Sequence, residues 1–311
     1  MSSSLSLPYT PYQVFLQRYF VMKVQKVPVA ITASCPVRDG RLSVGGCSFC
    51  GGRSFVPPYC KETDAIDVQI AKGIDFFSHK HSSAQRITYL AYFQSGTSTY
   101  GDIACFKEAC LSALSHPQVA GLVISTRPDC LHDDWLQLLD DLSKKCFVCV
   151  ELGVESLDDE VLRRVNRHHD VSTVLHTLDN LSSLGIPVCT HLILGLPGER
   201  EGAVVNAARM LSSLPVDVVK LHQLQIVRGS RFACQYMRHP ENFRLYSLDT
   251  YVHDVADFLE YLSPHIAVER FVSETPKRDL LAPSWGVRPD EVTRRVVAEM
   301  FTRGSVQGCC L

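Results

Sequence analysis

No apolar run in the sequence is long enough to cross a bilayer. The longest, over 188–196, is interrupted by Thr190 and His191, and a spanning helix needs about 20 residues. The N-terminal segment has no basic stretch followed by an apolar one, so we expect no secretory leader, no membrane partner and a cytoplasmic protein. A charge excess of one sign is also missing: 31 Lys and Arg stand against 33 Asp and Glu. That argues against a dedicated polybasic nucleic-acid binder and leaves room for a local basic groove. An apolar fraction of 46% excludes disorder as the main theme. At 311 residues the chain can form one large domain or two small ones. Cysteine, by contrast, is abundant. There are 13, an odd number, and in a reducing compartment they do not make a disulfide framework.

Six segments read as strands: 27–34, 87–93, 121–126, 146–154, 187–195 and 217–226. Each is a nearly continuous apolar run, as expected when helices cover both faces of a sheet. Helical patterns alternate with them, which implies an α/β fold with a parallel sheet and right-handed crossovers. Two closures compete, a doubly wound open sheet and a barrel. The glycine pattern of a dinucleotide fold is missing after the first strand, where Gly45-Gly46-Cys47-Ser48-Phe49-Cys50 stands instead. The unusual residues gather after strand ends, the rim on which barrels build active sites. We therefore expect a partial (β/α)6 barrel of the TIM type over 27–235, with a cysteine loop at 35–60. A lead-in would occupy 1–26. A C-terminal α-helical or α+β extension would occupy 236–311, with helices at 246–262 and 290–301 and a short additional strand at 266–272. Cys146, Cys149 and Cys189 then lie on strands as small core residues.

The loop after the first strand reads Cys35-x11-Cys47-x2-Cys50. Cysteines two apart can turn both thiolates toward one inorganic centre, and the third reaches it across a long loop. Gly40, Gly45, Gly46, Gly51 and Gly52 allow close backbone approach to a bulky group. Two centres fit. A zinc knuckle would need Cys60 or a histidine as fourth ligand. An iron–sulfur cubane on three thiolates would keep one iron open to an exogenous ligand.

Further motifs stand in order along the chain. They are Lys26-Val-Pro, Cys35-Pro-x-Arg38-Asp39-Gly40, Gly45-Gly46-Cys47-x-Phe49-Cys50, Tyr92-Phe93-Gln94 and Thr126-Arg127-Pro128-Asp129-Cys130-Leu131. They continue with Glu151-Leu-Gly153-x-Glu155-Ser156, Asn166-Arg167-x-His169-Asp170, His191-x-Ile193-x-Gly195-Leu-Pro197-Gly198-Glu199 and Lys220-x-His222. This chain resembles the radical S-adenosylmethionine (SAM) superfamily over most of its length, in particular the YhcC-type branch, which is related to the radical domain of the Elongator catalytic subunit. It departs from the branch at Ala33, Val37, Glu155 and His168, where His168 replaces a glycine; none of these is a cluster ligand.

The resemblance implies that Cys35, Cys47 and Cys50 bind a [4Fe-4S] cluster whose open iron takes SAM. It further implies that Phe49 flanks the cluster and that Gln94, Ser95, Gly96 and Thr97 meet the SAM amino group. Glu151 and Ser156 would meet its ribose, Arg167 its carboxylate, and Gly195 and Ile226 its adenine. Arg127, Asp129, Cys130 and His191 are the candidates for the substrate side. An external one-electron donor of flavodoxin or ferredoxin type would be a partner. A tRNA wobble uridine is the candidate substrate by branch analogy. Arg228, Arg231, Arg238 and Arg244, interleaved with Phe232, Tyr236 and Phe243, would suit single-stranded bases. A small metabolite or protein substrate, and a non-catalytic iron–sulfur or zinc protein, are the competing readings.

Overall fold

The computed structural model describes residues 7–31, 33–52, 57–79, 86–94 and 96–311. A short helix, α1 (Tyr12–Leu16), precedes β1 (Lys23–Val29). Helices and strands then alternate through α2 (Ile66–Ser78), β2 (Ile87–Phe93), α3 (Ile103–Leu114), β3 (Val119–Thr126), α4 (Asp133–Ser143) and β4 (Phe147–Glu155). Two helices follow, α5 (Asp159–Arg164) and α6 (Val171–Ser183), then β5 (Val188–Leu194), α7 (Ala203–Ser212) and β6 (Val218–Gln223). The C-terminal part adds β7 (Ile226–Val227), α8 (Arg231–Arg238), α9 (Leu248–Glu260), β8 (Ala267–Arg270), β9 (Leu280–Ala282) and α10 (Pro289–Arg303).

Seven strands pair in parallel in the order β1-β2-β3-β4-β5-β6-β8, and β7 and β9 form a separate antiparallel pair. The sheet is a curled half-barrel, as expected, but it has one more strand than the six anticipated. The short strand expected at 266–272 joins it as β8, beside β6. The first strand also differs from expectation. It begins at Lys23 rather than at residue 27, in register from Lys23 opposite Ile87 to Val29 opposite Phe93. Its polar residues hid it, because Lys26 points into the barrel and meets carboxylates there. It ends where the buried Gln69 side chain takes over the backbone of Ala30, accepting from its N–H at 2.8 Å and donating to its carbonyl at 3.0 Å.

Strand alternation divides the side chains into two sets. The outward set, including Val27, Phe93, Ile124, Leu152, Leu192 and Leu221, packs against the surrounding helices as the main core. The inward set is layered. At the strand N-termini, Leu90, Val123, Cys149, Cys189, Val218 and Ala267 form an apolar floor sealed by Phe15 and Leu16 of α1. The segment before α1 is tied to β8, where Val268 N–H donates to the Thr10 carbonyl at 2.8 Å. Above the floor lies a charged layer of Lys26, Tyr92, Ser125, Glu151, His191, Lys220 and Glu269. Lys26 of β1 and Glu269 of β8 pair at 2.6 Å across the two edges of the sheet.

Candidate active site

The cysteine loop leaves the C-terminal end of β1 and is held from three sides. Ser48 N–H donates to Val165 at 2.8 Å, Phe232 N–H donates to Ser48 at 2.9 Å, and Asn166 Nδ2 donates to Gly46 at 2.9 Å. Phe49 is half-buried in the apolar cluster that includes Phe232 and Ile226. Gly46 and Gly52 have a packing role: a Cβ at Gly46 would lie 2.7 Å from the Arg38 guanidinium, and one at Gly52 would overlap it. Arg38 thus fits between them, donating to both the carbonyl and the Sγ of Cys50 at 3.3 Å. Cys47 is buried, Cys35 half-buried and Cys50 exposed, and all 13 cysteines are free thiols.

Two buried guanidiniums face Cys47. Arg167, 5% exposed, donates to its Sγ at 3.5 Å, and Arg127, 3% exposed, at 3.9 Å. Arg127 is clamped by a bidentate pair with Asp129, 2.8 Å in both arms, and by the carbonyl of Arg167 at 2.6 Å. Burial opposes ionisation of Asp129, but the Arg127 hydrogen bonds outweigh it and hold the carboxyl below its usual range. Arg167 donates to His169 Nε2 at 3.0 Å and to the carbonyl of Gly153, while its nearest carboxylate, Glu155, stands 3.7 Å away. Burial, followed by the Arg167 and Arg127 charges, pushes His169 down to about 3, so it accepts from Arg167 as a neutral ring. The turn that presents Arg167 is strained: Asn166 and His168 both have positive φ, at 58° and 61°. A branch glycine at the second position is thereby explained.

A buried guanidinium without a full anionic partner is costly, and Arg167 has neutral hydrogen-bond acceptors and one carboxylate that stays beyond hydrogen-bond range, at 3.7 Å. Thiolates at Cys47 and its neighbours would supply the missing charge. The residues therefore fit an anionic, thiolate-held group. Of the fourth ligands a zinc site could use, Cys60 is engaged elsewhere: it is buried and its thiol donates to Gln69 Oε1 at 2.7 Å, off the end of β1.

The sequence pattern of the Radical SAM superfamily matches residues 32–211, and that of the Radical_SAM C-terminal domain matches 216–302. The chain belongs to the radical SAM superfamily. It is 33% identical to YhcC of Escherichia coli over 87% of this chain and 85% of that protein. It is 30% identical to the tRNA uridine(34) acetyltransferase of Dehalococcoides mccartyi over 50% of this chain and 34% of that one. Among solved structures, the archaeal Methanocaldococcus infernus Elp3 superposes with a TM-score of 0.69 at 17% identity, covering 93% of this chain and 65% of that one. The fold is thus shared with Elp3. Family membership implies a [4Fe-4S] cluster and SAM as cofactors.

Within this radical SAM rim several residues lie elsewhere than the motifs suggested. Arg127, expected on the substrate side, faces the cysteine loop, 3.9 Å from Cys47 Sγ. Cys130 is a buried thiol pushed up to about 12 by burial and then by Asp129, hence a protonated packing group. Glu151, expected at the ribose, is 0% exposed inside the barrel. Its carboxylate accepts from Lys26 and Lys220 at 2.7 Å, Tyr92 at 2.6 Å, His191 at 3.0 Å and Ser125 at 3.3 Å. Burial opposes its charge, and Lys220 and Lys26 overcome this, holding its pKa well below the carboxylate range. His191, expected at the substrate, belongs to the same layer; burial lowers its pKa, and its ring stacks on His222 at 5.4 Å. Glu151, Cys189 and His191 offer ligand atoms within 4.8 Å of one another, but the two lysine ammoniums on the carboxylate disfavour a cation.

The described residues of the loop after β2 lie beside the start of the cysteine loop. Thr97 N–H donates to Ser34 at 3.2 Å, and a Cβ at Gly96 would lie 2.9 Å from the Ala33 carbonyl, so both adjoin Cys35. Gln94 is half-buried at the end of β2, and Ser95 lies outside the described residues. Ser156 follows β4 and its Oγ accepts from Asp158 N–H at 3.2 Å. Gly195 ends β5, its N–H donating to Glu199 at 2.8 Å. Ile226 is buried in β7. The aromatics expected to stack on bases are packed instead: Phe232 and Phe243 meet at 5.2 Å, and Tyr236 and Phe243 at 5.7 Å. The motif reading missed Arg38, Gly153, His169 and the Lys26–Lys220–Glu269 charges as working parts. Alternation along β1, β6 and β8 was the signal for the last group.

Proposed function

We propose that this chain is a radical SAM enzyme in which Cys35, Cys47 and Cys50 hold a [4Fe-4S] cluster and the rim above it receives SAM and a substrate. Such a cluster, reduced by an external flavodoxin- or ferredoxin-type donor, would supply the electron for cleaving SAM to methionine and a 5′-deoxyadenosyl radical able to take hydrogen from a substrate C–H bond. The chain's own residues hold, orient and exclude. The Arg38 guanidinium braces the loop, while Arg127 and Arg167 present N–H groups to Cys47. The apolar floor closes the barrel below, which keeps water from a reactive intermediate. The β2 loop at Gln94, Ser95, Gly96 and Thr97 is our candidate for the SAM amino group. Ser156, Gly195 and Ile226 are candidates along its adenosine. For the ribose we now favour Glu155, at the end of β4, over the fully engaged Glu151. Two guanidiniums buried against one loop thiol are the observation that carries this reading.

For the substrate we propose a tRNA wobble uridine. Similarity to a protein named tRNA uridine(34) acetyltransferase supports this, as do Arg228, Arg231, Arg238 and Arg244, all exposed on and around α8. Reduced, cluster-loaded protein should release 5′-deoxyadenosine from SAM, slowly alone and faster with unmodified tRNA. Nucleosides of a deletion strain, read by mass spectrometry, should lack or accumulate one wobble-uridine form. An unchanged nucleoside profile with retained SAM cleavage would turn the assignment toward a metabolite or protein substrate.

A further inference from the structure

We propose that Arg38, Arg127 and Arg167 form a guanidinium cage that sets how readily the cluster accepts an electron, through N–H···S hydrogen bonds to its cysteine ligands. The inference rests on the three-cysteine cluster proposed above. Three donors from three separate segments converge on two sulfurs. Arg38, within the loop, reaches Cys50 Sγ at 3.3 Å; Arg167, from the turn between α5 and α6, reaches Cys47 Sγ at 3.5 Å; Arg127, at the end of β3, reaches it at 3.9 Å.

Each guanidinium is fixed by contacts that have nothing to do with the sulfur. Asp129 and the Arg167 carbonyl hold Arg127; His169 and the Gly153 carbonyl hold Arg167; Gly46 and Gly52 confine Arg38. Gly153 is part of the same arrangement, since a Cβ there would lie 2.7 Å from Arg167 Nη2 and 2.8 Å from Glu155 Oε1. The charge does not cancel locally. Asp129 offsets Arg127, but Arg167 has Glu155 only at 3.7 Å. Among the described residues Arg38 makes no ion pair. Positive charge therefore remains beside the sulfurs. Reducing a cluster adds negative charge to it, and cations and N–H donors at its sulfurs favour that change. All three are positioning residues: they act through the ligands and need not touch SAM or substrate.

The test uses the full chain, reconstituted anaerobically with iron and sulfide, as wild type, Arg167→Met, Arg167→Lys and Arg38→Met. Iron and sulfide are counted first, and the midpoint potential is then read by EPR-monitored redox titration. Arg167→Met should load and shift the one-electron reduction equilibrium about tenfold against the reduced form, a fall of about 59 mV. Arg167→Lys, which keeps the charge, should fall less, and Arg38→Met should also fall. Loaded Arg167→Met and Arg38→Met with the wild-type potential would overturn the inference. So would loss of the cluster from both while wild type loads, because the guanidiniums would then serve assembly and not potential. A wild-type chain that takes up no iron would sink the cluster reading itself and the inference with it.

Discussion

Replacing Glu151 by Gln removes one negative charge from a layer that holds two ammoniums and two carboxylates. Lys26 and Lys220 would then share Glu269 alone, at 2.6 and 3.1 Å. Lys220 is only 2% exposed and Glu151 not exposed at all, so the surplus ammonium has little water to turn to. Breaking a buried pair by removing one partner costs about 3–5 kcal/mol, because the other charge is stranded. That is a large part of the roughly 5–15 kcal/mol that keeps a domain folded, and it corresponds to a fall in melting temperature on the order of 10 °C. Thermal and urea unfolding of the cluster-free chain measure it without interference from the cofactor. The double change Glu151→Gln with Lys220→Met removes the stranded charge, and should recover about 1–3 kcal/mol of the loss. A loss below about 1 kcal/mol in the single variant, or no recovery in the double, would refute the view that this layer is a charge-balanced plug.

Three further outcomes follow from the turn that carries Arg167. His168→Gly should raise stability by about 1 kcal/mol in denaturant unfolding, because it relieves a left-handed backbone at the cost of one exposed side-chain bond to Asn166. His169 has its pKa lowered in the fold, so protonation favours the unfolded chain. Stability should therefore fall as pH drops from about 6.5 toward 3, by at most about 1.4 kcal/mol per pH unit from this residue. His169→Gln should reduce the slope of melting temperature between pH 7 and 5, leaving the contributions of His191 and His222, whose pKa values are lowered in the same direction. Gly153→Ala should cost about 1–3 kcal/mol in unfolding, as overpacked sites do. It should also displace Arg167 and move the cluster potential in the direction of Arg167→Met.

The strands were legible where their function is only to be covered. Residues 87–93 form a nearly continuous apolar run, and β2 spans Ile87–Phe93 with Thr88 as the one polar side chain on the inward face before Tyr92. β1 was misplaced because its inward residues include a lysine, and a lysine in a strand signals a core only when its carboxylate partners on β4 and β8 are known. The cysteine loop stands out in the sequence because Cys47 and Cys50 are only three positions apart among clustered glycines. The partners of Arg127, Arg167 and Glu151 could not be read that way. Each lies on a motif that a pattern can find, but whether it faces the cysteine loop or the barrel floor depends on register across four strands. Ser125 opposite Glu151, and Glu151 opposite Cys189, place that carboxylate mid-strand, well below the rim. The aromatic residues around α8 failed for a similar reason: alternation with arginine looks like a stacking platform until the rings are seen to pack on one another.

The most direct test of the whole account is the metal content and EPR spectrum of the anaerobically reconstituted chain, with and without SAM. About four irons and four sulfides per chain are expected. Loss of the cluster is expected in Cys35→Ala, Cys47→Ala and Cys50→Ala but not in Cys60→Ala. On reduction, the spectrum should change when SAM is added, because an iron without a protein ligand is open to it. Tightly held zinc in place of iron, loss of the cluster in Cys60→Ala, or a reduced spectrum indifferent to SAM would contradict a SAM-binding cluster on three cysteines.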